Sequence, residues 1–236
     1  MTTALIIGAN GGIGAALVAA LATSGRYARV IAAARREPDT LSPSVDYLPI
    51  DLADPASIEA AAVRIDTPLA RVIVATGILH DDTGGPERRL GDLDAERLAH
   101  LFAVNTIGPA LALKHFAPLL AKDAPSAIAC ISARVGSISD NRLGGWYGYR
   151  ASKAAVNQLV RTLAIEDKRR NSSGIVVALH PGTVDTGLSR PFQANVSPGR
   201  LFKPDRAAVQ LLDVIDGLRA PDSGKLFAWD GVEVAP

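Results

Sequence analysis

The chain has 236 residues, 48% of them apolar and 21% charged, so it can bury a sizeable core within one domain, and disorder is excluded. Twenty-five basic groups against 24 acidic ones leave a net charge of +1, which gives neither nucleic acid nor a polybasic membrane surface a reason to bind. The single Cys130 has no partner for an internal disulfide, and His80, His100, His115 and His180 show no metal-binding spacing, so a metal-free protein of a reducing, cytoplasmic compartment is expected.

Leu5-Ile6-Ile7 is a short apolar run closed by Gly8, and Ile13, Leu17, Val18 and Leu21 recur at helical spacing from Gly12 to about Ser24. The chain therefore opens as strand, turn and helix. Arg29 to Ala33 reads as a second strand, Val45 to Ile50 as a third and Arg71 to Ala75 as a fourth. Between the last two, Asp54-Pro55 and the Ala-rich run Ser57 to Ile65 read as a helix with Pro near its start. Leu93 to about Leu120 is helix-like with an interruption at Gly108-Pro109, and Ala127 to Ile131 is a fifth strand. Tyr147 to Lys168 is a long amphipathic helix, Gly174 to Leu179 a sixth strand, Pro204 to Leu218 a helix and Lys225 to Trp229 a last strand.

Short apolar strands alternating with helices are what a parallel sheet covered on both faces requires. The expected fold class is α/β: one doubly wound domain over residues 1–236, with a mainly parallel sheet of about seven strands. No apolar run approaches the roughly 20 residues of a membrane span, and no basic segment opens a secretory signal. Two segments are too long for plain connectors, His80 to Asp92 and Thr186 to Pro204. Both follow strand ends, where ligands bind in such sheets, so they are expected to act as substrate walls or lids.

Gly8-Ala9-Asn10-Gly11-Gly12-Ile13-Gly14 joins the first strand to the first helix. Without side chains at Gly8 and Gly12 the backbone can turn tightly and approach a pyrophosphate at the helix N-terminus, while Gly14 lets the helix pack closely on the sheet. The spacing G-x-x-x-G-x-G differs from the commoner G-x-G-x-x-G, and the Lys-Ser/Thr of a Walker loop is absent. At the end of the second strand an NAD site usually carries a carboxylate for the ribose hydroxyls, but here the chain reads Ala33-Ala34-Arg35-Arg36. A guanidinium can clamp a 2′-phosphate through charge-assisted bonds, so NADP(H) is the expected cofactor.

Tyr149-Arg150-Ala151-Ser152-Lys153 has the YxxxK pattern near the start of a predicted helix. Residues four apart share a helical face, and an ammonium beside a phenol stabilises phenolate, which is expected to bring the Tyr149 pKa down from about 10.

The glycine spacing followed by YxxxK resembles the short-chain dehydrogenase/reductase family, which implies a Rossmann-type fold. The resemblance makes Tyr149 the proton donor to a carbonyl oxygen and Lys153 also a ribose ligand. Asn105, in Phe102-Ala103-Val104-Asn105-Thr106, matches the family's water-relay Asn; read from its residues alone, it is a kink residue bonding backbone. A Ser hydroxyl should orient the carbonyl. The chain reads Cys130-Ile131-Ser132-Ala133 where the family has Asn-Ile-Ser-Ser, so Ala133 takes the usual place, Ser132 is the first candidate, and Ser137 or Ser139 could replace it.

Asp51-Leu52 is similar to the family's adenine-contacting pair, and His180-Pro181-Gly182-Thr183-Val184-Asp185-Thr186 to the stretch lining nicotinamide. Val74-Ala75-Thr76-Gly77 stands where the family has N-N-A-G, and Ile7 where a Thr precedes the first glycine. The implied cofactor residues are Gly8, Asn10, Gly11, Gly12, Ile13, Gly14, Arg35, Arg36, Asp51, Leu52, Ala75, Thr76, Gly77, Ile131, Tyr149, Lys153, Pro181, Gly182, Thr183, Val184 and Thr186. Within the family, the run Ser132 to Lys153 and the ending Phe227 to Gly231 resemble the C-factor and sniffer-type carbonyl reductase branch. The implied activity is NADPH-dependent reduction of an aldehyde, ketone or quinone by a homodimer or homotetramer; the alternative is a dinucleotide-binding signalling protein with little turnover. Leu143, Trp146, Leu188, Phe192 and Phe202 are candidates for an apolar substrate pocket or for loop packing.

Overall fold

A computed structural model describes residues 2–81 and 84–236. The seven expected strands form as β1 (Thr3–Ile7), β2 (Arg29–Ala34), β3 (Val45–Pro49), β4 (Leu69–Val74), β5 (Ala127–Ile131), β6 (Ile175–His180) and β9 (Leu226–Ala228). They belong to one sheet of order β10-β9-β6-β5-β4-β1-β2-β3, whose eighth member, β10 (Glu233–Val234), is antiparallel to β9 while the rest are parallel.

Strand alternation divides the core in two. Leu5 and Ile7 of β1 enter one cluster with Phe116, Val156 and Val160, whereas Ala4 and Ile6 enter the other with Leu17, Leu21, Leu211 and Ile215. The first face is covered by α2 (Pro55–Val63), α4 (Gly108–Phe116) and α5 (Tyr147–Asp167); the second is covered by α1 (Gly12–Thr23) and α6 (Pro204–Gly217). Cys130 of β5 lies in this interior, and burial pushes its thiol up to about 12, so it is a core residue and not a nucleophile.

Gly108-Pro109 does not break the long helix. The chain runs from α3 (Ala95–Phe102) through one wide π-turn, Ala103–Ile107, directly into α4. The Gly108 N–H reaches the Ala103 carbonyl across five residues, and Pro109 falls in the first turn of α4, where a missing N–H costs least. Gly108 is held there by Leu52, whose Cβ would stand 2.8 Å from any Cβ at that position.

The segment Thr186 to Pro204 is tied down at both ends. β7 (Thr183–Val184) pairs in parallel with β8 (Leu201–Phe202), and a short 3-10 stretch, Arg190–Asn195, lies between them. Of the other long segment, residues 82 and 83 lie outside those described. Among the described residues no helix is long and apolar enough to cross a membrane, and no cluster of His, Cys, Asp or Glu could hold a metal ion.

Candidate active site

From β1 the sheet winds to β2 and β3 in one direction and to β4, β5 and β6 in the other. The loops leaving the C-terminal ends of β1 and β4 therefore diverge, and a crevice opens between them. It holds a cavity of about 540 Å³ lined by the glycine loop, the turn after β4, the end of β5, the start of α5 and residues 180–196.

The glycine loop is built for close approach. Gly8 stands at φ +95° with its N–H donated to Ala33 O at 2.8 Å, and a Cβ at Gly14 would lie 2.1 Å from the Gly8 carbonyl. The first turn of α1 has no side-chain cap and no acidic residue, so its N–H groups are open to an anion. A Cβ on Gly12 would come within 2.7 Å of the Thr186 methyl, which closes the slot from the other side. Arg35 and Arg36 are exposed just beyond β2, and Asn10 Nδ2 donates to Arg36 O at 2.6 Å, fixing the arginine turn against the glycine loop.

The cavity collects most of the expected cofactor residues: Asn10, Gly11, Gly12, Ile13, Ala75, Thr76, Gly77, Ile131, Tyr149, Lys153, Pro181, Gly182, Thr183, Val184 and Thr186. Gly8, Gly14, Arg35, Arg36, Asp51 and Leu52 lie outside its lining. Leu52 is packed in the core, so only its backbone could face an adenine, and the Asp51 carboxylate accepts the Ala53 N–H at 2.9 Å. Thr76, standing in the altered strand-four motif, keeps a buried hydroxyl without a partner.

Tyr149 sits in the first turn of α5 at 7% exposure, one turn ahead of the buried Lys153. The Lys153 ammonium lies 5.8 Å from the phenol ring centroid and donates to Ile131 O at 3.0 Å. Burial pushes the Tyr149 phenol above its ordinary range and brings Lys153 down to about 8. This corrects the expectation of a depressed Tyr149: loss of hydration on burial outweighs the charge of Lys153. The same cavity wall carries His180 at the end of β6, brought down to about 4 by burial and by Arg134, and hence a neutral imidazole at neutral pH.

Ser132 is expected to orient a carbonyl, but its hydroxyl donates to Asn157 Oδ1 at 2.7 Å, and a hydroxyl has one proton to give. Ser132 lies on the cavity lining beside Ala133, which stands where the second serine was expected. Ser137, whose Oγ accepts the Asp140 N–H, and Ser139, which donates to the Pro236 carbonyl, both lie outside the cavity lining, so neither substitutes. Asn105, fully buried in the π-turn, is engaged throughout its amide. Its Oδ1 accepts the Ile78 N–H at 2.8 Å, and its Nδ2 donates to Ile78 O at 2.9 Å and to Ser152 Oγ at 3.2 Å. It thus pins the turn after β4 to α5, which is the backbone-bonding role the residues alone suggest.

Of the apolar candidates, Trp146, Leu188 and Phe192 line the cavity. Leu143 points outward at 92% exposure, and Phe202 packs edge-on to Trp229 beneath the Gly182 turn. Leu79 and Val135 complete the wall, and nothing in their spacing along the sequence marks them.

The profile of the short chain dehydrogenase family matches residues 2–197. The chain is 37% identical over 145 residues to the C-signal of Myxococcus xanthus, covering 61% of this chain and 82% of that protein. It is 32% identical over 236 residues to a 1-hydroxy-2-glutathionyl-2-methyl-3-butene dehydrogenase of Rhodococcus, covering 98% of each. The crystal structure of an NADPH-bound carbonyl reductase from chicken fatty liver superposes with a TM-score of 0.85 at 28% identity, over 99% of this chain and 94% of that one.

Replacing Asn105 by Leu should lower the unfolding free energy by roughly 2–6 kcal/mol, because the Ile78 N–H and C=O are each left without a partner at about 1–3 kcal/mol apiece. Urea denaturation measures it; an unchanged midpoint would mean that Ile78 finds other partners.

Proposed function

The chain belongs to the short chain dehydrogenase family, and on that premise we propose that it is an NADPH-dependent carbonyl reductase in which Tyr149 protonates the oxygen of a small aldehyde, ketone or quinone. The observation that carries this reading is the placement of Tyr149 and Lys153, one turn apart on α5, on the wall of the same cavity that the glycine loop floors.

NADP(H) is the cofactor these residues fit. The uncapped α1 terminus and the Gly11–Gly12 backbone would take the pyrophosphate, and Arg35 and Arg36 the 2′-phosphate. The backbone at Asp51 and Leu52 would face the adenine, Lys153 the nicotinamide ribose, and residues 181–184 with Thr186 the nicotinamide. The chicken carbonyl reductase carries NADPH, which supports the assignment. When bound, the cofactor supplies the hydride.

The chain's own residues supply the proton and the surroundings. Because burial holds the Tyr149 phenol protonated, it enters the reaction as an acid. As its O–H bond gives way, the proton passes to the carbonyl oxygen and the phenolate left behind lies near the Lys153 ammonium, which is charged at neutral pH. With the Ser132 proton given to Asn157, the proton transfer is assigned to Tyr149, the phenol on the cavity wall one turn from Lys153. Leu79, Val135, Leu188 and Phe192 keep the reacting face apolar. A signalling protein with little turnover is the second reading, favoured by the likeness to C-signal and by Ala133.

Tyr149→Phe keeps the ring and should leave NADPH binding near its wild-type value while lowering turnover by about two to four decades. Steady-state reduction of a reactive aldehyde, with NADPH binding followed separately, measures both. Equal turnover would remove Tyr149 from the reaction, and tight NADPH binding by both proteins without any turnover would favour the signalling reading.

The pH dependence follows from Lys153, which is protonated below about 8 and neutral above it. Since the charged form supports the nascent phenolate, kcat/KM for reduction should be level below pH 8 and decline as pH rises through it. Lys153→Met should remove that limb from the profile.

NADPH should bind more tightly than NADH. Replacing Arg35 and Arg36 together by Ala should weaken NADPH by about one to two decades for each charged bond lost and change NADH little. Equal affinities for the two cofactors in the wild-type protein would falsify the 2′-phosphate assignment.

A further inference from the structure

Just before α5 the backbone takes a costly path. Gly144, Gly145 and Trp146 follow one another in the left-handed region, at φ 65°, 64° and 53°, and among the described residues Trp146 is the one non-glycine residue there. A bulky side chain in that conformation persists only where its surroundings over-determine it.

Two residues do so from opposite sides. Glu87, 3% exposed in the segment after β4, accepts the Trp146 N–H on its carbonyl at 2.5 Å and the Gly148 N–H on Oε2 at 3.1 Å. The carboxylate fits because residue 148 has no side chain; a Cβ there would lie 2.9 Å from Oε1. Arg150 reaches back from α5 and donates to Gly145 O at 2.9 Å, Gly144 O at 3.0 Å and Val135 O at 3.3 Å.

The brace fixes the indole beside the proton donor. Trp146 stands edge-on to Tyr149, with centroids 6.3 Å apart at 76°, and to Phe192, at 5.2 Å and 61°. His80 continues the row, 5.8 Å beyond Phe192. A row of rings running outward from the phenol, among Leu79, Val135 and Leu188, gives a flat π-face partners in offset or edge geometry that a puckered saturated ring cannot use as well.

We propose that Trp146 determines specificity, selecting carbonyl compounds whose substituent is an aromatic or conjugated plane, and that Glu87 and Arg150 are positioning residues acting through it. This rests on the carbonyl reductase reading and names the substrate class of that site. Nothing in it requires a new chemical step; the preference is set by where the indole is held.

The test compares benzaldehyde with cyclohexanecarbaldehyde, similar in size and different in planarity, as a ratio of kcat/KM values with NADPH. Taking the ratio relative to wild type cancels their different intrinsic reactivity. Trp146→Leu should lower the benzaldehyde preference about 3- to 10-fold, mainly through KM. Trp146→Gly, which suits the left-handed backbone, should do the same and covers the case in which the Leu variant does not fold. Arg150→Met keeps the indole and loosens its support, so the preference should fall in the same direction, and Arg150→Lys should restore part of it. A parallel NMR titration with benzyl alcohol and cyclohexylmethanol reads the same preference without turnover. A ratio unchanged in both Trp146 variants overturns the inference, while measurable reduction by those proteins leaves the reductase reading standing. If the wild-type protein reduces neither aldehyde yet binds benzyl alcohol preferentially, and Trp146→Leu removes that preference, the reductase reading fails and the assignment of the pocket holds.

Discussion

Because β1 has β2 on one side and β4 on the other, the chain must leave the sheet in opposite directions from two neighbouring strands, and the space between those exits cannot be filled by a connecting helix. Everything functional is arranged around that gap. The glycine loop leaves β1 into it, the turn carrying Thr76 and Gly77 leaves β4 into it, and α5 brings Tyr149 and Lys153 to its wall. The close contacts follow from the same crowding: the Gly8 carbonyl lies where a Cβ of Gly14 would be, and the Thr76 methyl would stand 3.0 Å from a Cβ on Gly8. Side chains are excluded from these positions because three pieces of backbone converge there.

Burial then sets the chemistry. The crevice is lined chiefly by apolar atoms, so ionisable groups that enter it are driven towards their neutral forms: the Tyr149 phenol upward, Lys153 to about 8 and His180 to about 4. Each shift has desolvation as its largest cause. For proton donation this is favourable, since a protonated phenol is the form required. Lys153 remains charged at neutral pH while partly desolvated, and an ammonium in that state interacts more strongly with a newly formed phenolate than a hydrated one would. The Ile131 carbonyl that accepts from Lys153 belongs to the end of β5, so the sheet itself holds the cation in place.

Much of this was legible in the sequence because strands buried on both faces must be apolar throughout, and β1, β2, β4, β5 and β6 announce themselves that way. The glycine loop and YxxxK are likewise local patterns. What escaped is what depends on distance or on too few residues. β7, β8 and β10 have two residues each, too short to carry any period. Gly108-Pro109 looks like a break because the π-turn that carries the helix past it is held by the Asn105 amide bonding Ile78, 27 residues from Asn105 in sequence. Glu87 pairs across 61 residues with Gly148, and no motif joins them. Ser132 differs, for the signal was present. Cys130 faces the α5 side of the sheet, and alternation places Ser132 on that side too, where Asn157 of α5 takes its proton although the residue lies on the cavity lining beside Ala133.

The two long segments owe their roles to one another. His80, in the segment after β4, is within hydrogen-bonding distance of Gly187 O through Nε2 at 3.1 Å, and its ring meets Phe192 of the same partner segment. Phe192 in turn meets Trp146, whose backbone is held by Glu87 from the first segment. The wall over the reacting face is therefore a closed circuit of contacts among His80 and Glu87 of the first segment, residues 144–150, and residues 187–192. Its members lie far apart in the chain and come together because their loops leave the same edge of the sheet. A change in any one loop is then felt at the indole beside Tyr149. The glycine loop answers to a different contact, between Gly12 and Thr186, and Thr186 is itself anchored through Ser189, whose hydroxyl bonds the Val184 carbonyl at 2.5 Å. Cofactor floor and substrate wall thus meet in the short stretch 184–192, where a side chain that shifts one also shifts the other.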